Sequence, residues 1–339
     1  MKPDLDGNAP PTAPLRLLLT GGSGFVGSVV AARLEEAGHD LTLCDDVFAG
    51  NTWTVPSGAR FLPVDLLQPA SLGRVMAGGY DAVVHLSEPP TSEAAAHPVA
   101  YLRANLGRML NLLDAMAAHD VRRLVHSSTA AVYGTPGAGP VPESAPVRPA
   151  DPYGTWNVVV EQAVALQARA RELGAVSLRL FNVAGVSGDL GEWRHPESHL
   201  IPLVLQVAAG LRSEVQIYGA DFPTPDGTPV RDYVHVEDVA RAHLLALDAT
   251  ARPGYAAYNV GTGIGTSVRQ VLDITESLTG RRIPAVDASR RPGDPDMLVA
   301  STAKARSGLG WVARRSVTDA IADGWAWMQD RLRTANTLV

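Results

Sequence analysis

The residues of this chain best equipped for chemistry stand in the stretch Asp151-Pro152-Tyr153-Gly154-Thr155-Trp156-Asn157. It places a tyrosine in the first turn of a long amphipathic segment, with Asp151 able to cap the helix and Pro152 suited to its first turn. A phenol held there can pass a proton to and from a substrate hydroxyl. Asn157, at i+4, shares the helix face of Tyr153. Its amide can bond a sugar hydroxyl but brings no charge. A lysine would bring charge as well, and would draw the phenol pKa, ordinarily about 10, toward working pH. A second group of hydroxyls, in Ser127-Ser128-Thr129-Ala130-Ala131-Val132-Tyr133-Gly134, follows the expected strand Arg122 to His126. Open α/β sheets keep their catalytic groups at the carboxyl ends of strands.

These groups need a sheet to hold them. Leu15 to Leu19 is a short apolar run, the mark of a buried parallel strand. Thr20-Gly21-Gly22-Ser23-Gly24-Phe25-Val26-Gly27 follows, and then a helical pattern. Gly21, Gly24 and Gly27 are spaced for a tight turn that lets a pyrophosphate approach backbone N–H groups at a helix N-terminus. A second strand, Asp40 to Cys44, ends at Asp45, where a dinucleotide-binding unit places the carboxylate for the adenosine ribose. An acid there repels a 2′-phosphate, which favours NAD over NADP. Further strands are expected at Arg60 to Val64, ending at Asp65, at Asp81 to His85, at Arg122 to His126 and at Val176 to Phe181. The segment after His85, Leu86-Ser87-Glu88-Pro89-Pro90, should pass the nicotinamide side of the site, with Glu88 read as a solvated loop acid or an auxiliary acid or base. Helices are expected at 97–118, with Asn105 inside, and from Pro152 to about Leu173. Six strands interleaved with helices make an α/β fold of Rossmann type, a doubly wound parallel sheet. After Asn182 the texture becomes loop-rich, with a helix at Val236 to Ala249 and a return to strand character at Tyr258 to Gly261. We expect residues 15–182 plus about 236–262 to form a cofactor domain, and about 183–235 plus 263–333 a smaller, interleaved α/β substrate-binding domain.

Composition narrows the classes. Hydrophobic residues make up 46% and charged residues 19% of 339, an ordinary globular balance. A formal charge of −6 gives no case for nucleic acid or an anionic membrane, so an anionic ligand must meet local positive groups. Cys44 is the only cysteine, which rules out a disulfide framework or a Cys-rich metal site within the chain, and no metal is expected. Residues 1–14 carry four prolines among polar residues and read as a disordered tail. With no span-length apolar run and no signal segment, a soluble cytoplasmic protein is expected.

Several runs together resemble the extended short-chain dehydrogenase/reductase family, and within it the nucleotide-sugar 4-epimerase branch. They are the glycine loop at 20–27, the Ser-Ser-Thr-Ala-Ala-Val-Tyr-Gly run at 127–134, Asp-Pro-Tyr-Gly at 151–154, Leu-Arg-Leu-Phe-Asn at 178–182, His-Leu-Ile-Pro at 199–202, Ile-Tyr-Gly at 217–219 and the long run Phe222 to Asp238. The resemblance spans Leu15 to about Arg331. It implies that Gly21, Ser23, Gly24, Phe25, Val26 and Gly27 surround the NAD pyrophosphate, with Asp45, Asp46, Asp65, Leu66, Leu86 and Asn105 around the rest of the cofactor. It implies that Tyr153 and Thr129 are catalytic, and that Asn157 stands beside both Tyr153 and the cofactor. Ser128, Thr129, Asn182, His199, Leu200, Tyr218, Arg231, Arg291 and Asp294 fall on positions that contact the nucleotide sugar. His199 stands where the family carries an asparagine. The reaction implied is epimerisation at C4 of a UDP-hexose: tyrosinate takes the 4-hydroxyl proton, C4 gives a hydride to NAD, and the 4-keto sugar turns over and takes it back. The helices at 97–118 and 152–173 would pair across a two-fold axis in a homodimer.

The chain departs from the family pattern at identifiable places. The family reads Tyr-x-x-x-Lys, and this chain has Asn157. A loss of about 2 pKa units of activation would cost about 2.7 kcal/mol, roughly a hundredfold in tyrosinate population. Leu298 falls where the family gates bulk at the sugar 2-position, and Pro90 where a lysine can approach the cofactor phosphates. Sugar-nucleotide dehydratases and decarboxylases carry an acid beside the catalytic hydroxyl; here Ala130 and Ala131 follow Thr129. Two other readings stay open: a related enzyme acting on another nucleotide-linked sugar or sugar-like substrate, and a catalytically weak nucleotide-sugar-binding protein.

Overall fold

The apolar runs become strands because β-branched and leucine side chains fill both faces of a sheet covered on each side by helices. In the computed structural model, which describes residues 13–45, 54–86, 97–192 and 197–337, the main sheet has seven strands. They are β1 (Arg16–Thr20), β2 (Asp40–Asp45), β3 (Arg60–Pro63), β4 (Ala82–His85), β5 (Arg123–Thr129), β6 (Gly174–Leu180) and, later in the chain, β10 (Gly254–Val260). Their order is β10-β6-β5-β4-β1-β2-β3, and every pairing is parallel. The chain reverses direction across the sheet between β1 and β4, which opens a crevice at their carboxyl ends. Residues 1–12 of the expected tail, and Asp46, Glu88 and Pro90, lie outside the described residues.

Helices α1 (Phe25–Glu36) and α6 (Val236–Ala249) cover one face, and α2 (Pro69–Met76), α3 (Pro98–Ala118) and α4 (Pro152–Arg171) the other. Strand alternation sorts the core. Leu17, Leu19, Val84 and Val125 pack with Val29, Leu34, Val239 and Ala246. Leu18, Val83 and Leu124 face Met109, Leu112, Trp156, Val160 and Val164. Each such fully buried aliphatic side chain contributes about 1.5–3 kcal/mol.

A second lobe grows out of the carboxyl edge. Strand β9 (Val230–His235) pairs with β7 (Asn182–Ala184), β11 (Gly265–Ser267) and β13 (Met297–Leu298), and β8 (Val215–Tyr218) pairs with β12 (Ala285–Ala288). Helices α5 (Leu200–Ala208), α7 (Val268–Thr279), α8 (Ala303–Leu309) and α9 (Val317–Thr337) complete the element order. A single carboxylate joins the pieces. Asp232, fully buried on β9, accepts hydrogen bonds from Thr262 N (2.7 Å), Thr262 Oγ1 (2.7 Å), Gly263 N (2.8 Å) and Ala300 N (3.1 Å). Burial pushes its pKa up against those bonds, which favour the charged form.

The expected strands and helices are present with small shifts of boundary. The informative shift is at β5, which runs through Ser127 and Ser128 to Thr129, because β6 continues to pair with it as far as Leu180. Beneath α3 and α4 this face of the sheet carries a polar row. Thr20 Oγ1 lies 2.6 Å from His85 Nδ1, the His85 and His126 rings stack at 5.8 Å, and His126 Nδ1 lies 3.3 Å from Ser177 Oγ. On the opposite face Ser127 Oγ lies 2.7 Å from His243 Nε2.

Burial pushes His85 and His126 down to about 3 and His243 down to about 4, against an ordinary 6.5. The unfolded chain therefore binds more protons than the folded one between those values, and stability rises with pH across that window. Urea titrations should give a midpoint that is steady above about pH 6.5 and falls progressively toward pH 4. A midpoint unchanged over that range would contradict the burial of three neutral imidazoles.

Candidate active site

The turn after β1 is shaped by its glycines. Gly21 has φ +76° and donates its N–H to the Cys44 carbonyl (2.9 Å). A Cβ on Gly27 would lie 2.0 Å from the Gly21 carbonyl oxygen, so the first turn of α1 closes onto the loop only because that carbon is missing. Gly24 is the N-cap and has no side chain to cap the helix, and Phe25 and Val26 open it half-buried. The result is a bare helix N-terminus behind a glycine cradle, which fits a dinucleotide pyrophosphate. Asp45, ending β2, closes the loop: its Oδ2 accepts from Ser23 N (3.1 Å) and from Ser23 Oγ. Thr54 Oγ1 donates to the Ser23 carbonyl (3.1 Å). Asp65 caps the turn after β3 by accepting from Leu67 N (2.8 Å), with Leu66 buried behind it. Leu86 continues from β4, its N–H donating to the Thr20 carbonyl (2.9 Å). Asn105 is buried in α3, where its Nδ2 donates to the Tyr101 carbonyl (2.8 Å) and its Oδ1 lies 3.4 Å from Arg108 Nη1.

Tyr153 and Thr129 come from different elements and are brought together by backbone contact. Asp151 Oδ1 accepts from Gly154 N (2.6 Å) and starts α4, with Pro152 at its first turn. A Cβ on Gly154 would stand 2.5 Å from the Ala131 carbonyl oxygen and 2.9 Å from Pro149 Cβ. The first turn of α4 therefore rests directly on the 3₁₀ turn Ala130–Tyr133. Thr129 is the N-cap of that turn, and its Oγ1 accepts from Ala131 N (3.2 Å). That bond uses a lone pair and leaves the hydroxyl proton as the group it can offer. The Tyr153 ring is half-buried, edge-on to Trp156 at 6.3 Å. Asn157 is fully buried; its Nδ2 donates to the Tyr153 carbonyl (3.1 Å), and its Oδ1 has no partner among the described residues. An unmet buried acceptor is costly, and a ribose hydroxyl of the cofactor is a donor that would meet it.

The second lobe carries two arginines among the expected site residues. Arg231, on β9 opposite Leu298 of β13, pairs with Asp294. The Arg291 guanidinium carbon stands 4.0 Å from the Tyr218 ring centroid, and Tyr218 donates its hydroxyl to Gln216 Oε1 (2.6 Å). Asn182 opens β7 and is exposed. His199 stands at the N-terminus of α5 with Leu200 next, and its Nδ1 lies 2.7 Å from Oε1 of buried Glu192. Leu298 is buried with Ala130 and Phe181, close behind the Thr129 turn. Ser128 faces inward: it is 2% exposed, and its hydroxyl donates to Glu161 Oε1 (2.6 Å). Glu161, its partner Arg179 and Asp232 are not among the site residues expected from the sequence. The signal available for Arg179 was a charged residue inside the apolar run Val176 to Phe181.

The chain matches the model of the NAD dependent epimerase/dehydratase family over residues 17–261. It is 45% identical over 316 residues to a UDP-glucose 4-epimerase of Corynebacterium glutamicum, covering 92% of this chain and 95% of the relative. Its structure resembles that of a UDP-glucose 4-epimerase from Stenotrophomonas maltophila with bound NAD and formylated UDP-arabinopyranose, with a TM-score of 0.90, 36% identity and coverage of 94% and 99% of the two chains. The enzyme from Bifidobacterium longum in complex with NAD+ and UDP gives a TM-score of 0.88 at 34% identity, over 94% and 99% of the chains.

Gly154→Ala forces the first turn of α4 off the Ala131 carbonyl, a backbone atom that cannot swing away. We expect a loss of about 1–3 kcal/mol in denaturant unfolding. A variant as stable as the parent would show that the two turns separate freely.

Proposed function

The chain belongs to the NAD dependent epimerase/dehydratase family, and from that premise we propose that it is an NAD-dependent isomerase that inverts C4 of a UDP-hexose. One observation carries the reading: the first turn of α4, with Tyr153, rests on the Thr129 turn at the carboxyl edge of a sheet whose first strand–turn–helix unit forms a dinucleotide cradle. When bound, NAD supplies the hydride acceptor and returns the hydride, so that the sugar passes through a 4-keto stage and the cofactor ends unchanged. In this reading Tyr153 takes the 4-hydroxyl proton and later gives it back, and Thr129 donates its hydroxyl proton to the sugar oxygen. Gly21, Gly24 and Gly27 admit the pyrophosphate, and the Asp45 carboxylate disfavours a 2′-phosphate, which supports NAD over NADP. Arg231 and Arg291 supply the local charge that a UDP diphosphate requires from a chain of net charge −6. Ala130 and Ala131, beside Thr129, argue against dehydration or decarboxylation.

The wider organisation follows the same reading. The parallel sheet with its covering helices forms the cofactor lobe, and β7, β9, β11 and β13 with α5, α7 and α9 form the substrate lobe. Val99 and Leu110 on α3 and Leu166 on α4 are apolar and exposed, which supports pairing of these helices in a homodimer. Among the described residues no helix is long and apolar enough to cross a membrane, and we assign the protein to the cytoplasm. A second reading, weak catalysis on a retained cofactor, is favoured by Asn157 alone, since this fully buried residue brings no positive charge to Tyr153.

Offered UDP-glucose, UDP-galactose, their N-acetyl forms and UDP-uronates in turn, the purified protein should convert at least one to its C4 epimer by NMR. No turnover of any, with NAD still bound, would overturn the isomerase reading. Asn157→Lys should raise turnover, by up to about a hundredfold, and move the acid limb of the rate profile to lower pH. Slower turnover with cofactor retained would mean that the amide has a function of its own.

A further inference from the structure

Below the Thr129 turn lies a buried ion pair that holds the turn at both ends. Glu161 and Arg179 have side chains only 8% and 7% exposed. Arg179 Nε donates to Glu161 Oε1 (3.0 Å) and Nη2 to Oε2 (2.6 Å), the two-pronged geometry that makes a guanidinium–carboxylate pair directional. Neither partner stops there. Glu161 Oε1 also accepts from Ser128 Oγ at 2.6 Å, and Ser128 immediately precedes Thr129. Arg179 Nη1 donates to the Tyr133 hydroxyl at 2.8 Å, and Tyr133 is the last residue of the turn that Thr129 caps. Tyr133 in turn donates to Asn259 Oδ1 (2.7 Å), and Asn259 Nδ2 donates to the Val141 carbonyl (2.8 Å). Val141 bridges to the 299–301 segment, its N–H donating to the Val299 carbonyl (2.8 Å).

The position of Glu161 adds the second half of the inference. It stands two helical turns beyond Tyr153 on α4, so the same carboxylate is fixed to the helix that carries the tyrosine and to the strand that carries the threonine. A hydrophobic contact in its place could not do this, because dispersion has no preferred direction, whereas four hydrogen bonds at 2.6–3.0 Å define one. We propose that Glu161 and Arg179 are positioning residues for the epimerisation, setting the distance between Tyr153 and Thr129 through Ser128 and Tyr133. This rests on the isomerase reading above. Misplacing a proton-transfer pair by about an ångström costs up to about a hundredfold in rate while leaving the binding surfaces intact. The signature of the pair is therefore a loss in kcat rather than a rise in KM.

Removing either charge strands the other in the interior and can unfold the protein, so the arms that keep the pair are the sharper test. Ser128→Ala and Tyr133→Phe each delete one arm and leave the Glu161–Arg179 pair in place. With the substrate that wild type turns over, each should lower kcat about tenfold or more, with KM within about twofold and bound NAD unchanged. The rate at which substrate reduces the bound cofactor in a single turnover should fall in proportion. The double variant should fall by less than the product of the two, since both arms report on one pair. Glu161→Gln, where it folds with NAD bound, should show the same loss in kcat. Wild-type kcat in both single variants, with only the melting temperature lowered, would overturn the proposal and leave the pair structural. Losses confined to KM would overturn it as well. Failure of the isomerase reading is distinguished by wild type itself, which would then give no turnover in the same assay.

Discussion

The site depends on one steric constraint, the contact between the first turn of α4 and the Ala131 carbonyl. The helix that begins with Tyr153 and the turn capped by Thr129 come into backbone contact because residue 154 has no Cβ. The cost of that glycine within a helix, about 1 kcal/mol relative to alanine, is small beside the packing that α4 makes through Trp156, Val160 and Val164. The same device recurs at the cofactor loop, where Gly27 lets α1 close on Gly21. Both contacts sit at the carboxyl edge of the sheet, and each fixes the position of a helix N-terminus there.

Around these contacts the fold uses polar groups sparingly but pairs most of them. Asp232 ties β9 to the segments after β10 and before α8, so the second lobe is anchored through the strand that also carries Arg231. Buried His85 and His243 stand against the hydroxyls of Thr20 and Ser127, and the Glu161–Arg179 pair bonds the hydroxyls of Ser128 and Tyr133. Asn157 is the contrast. Its amide nitrogen is spent on the helix backbone and its oxygen is left as a buried acceptor beside Tyr153. A lysine there would present donors and charge; the asparagine presents one lone-pair face.

The sequence was legible where a local rule acts. The strands of the seven-stranded sheet announced themselves in short runs of strand character, the glycine turn as glycines spaced three apart, and α4 by its Asp-Pro start. Each depends on neighbours in sequence, through φ, capping or burial of a contiguous run. Strands β7, β11, β12 and β13 were not legible, because segments of two to four residues carry no periodicity and become strands only when a partner arrives. Nor was the end of β5: the hydroxyl-rich Ser127 to Thr129 reads as a loop, yet β6 pairs along it to Leu180.

What the sequence determined by itself was the type of fold, the glycine turn after β1 and the helix start at Asp151-Pro152, since these rest on residue chemistry and short spacing. Tertiary structure alone decided which groups face which. Ser128, one residue from Thr129, turns to Glu161 instead of the crevice because successive strand residues point to opposite faces. Glu161 and Arg179, 18 residues apart in the chain, meet only after α4 has packed on β6. Long-range pairing of this kind depends on the packed arrangement of whole elements, and no window of sequence contains it.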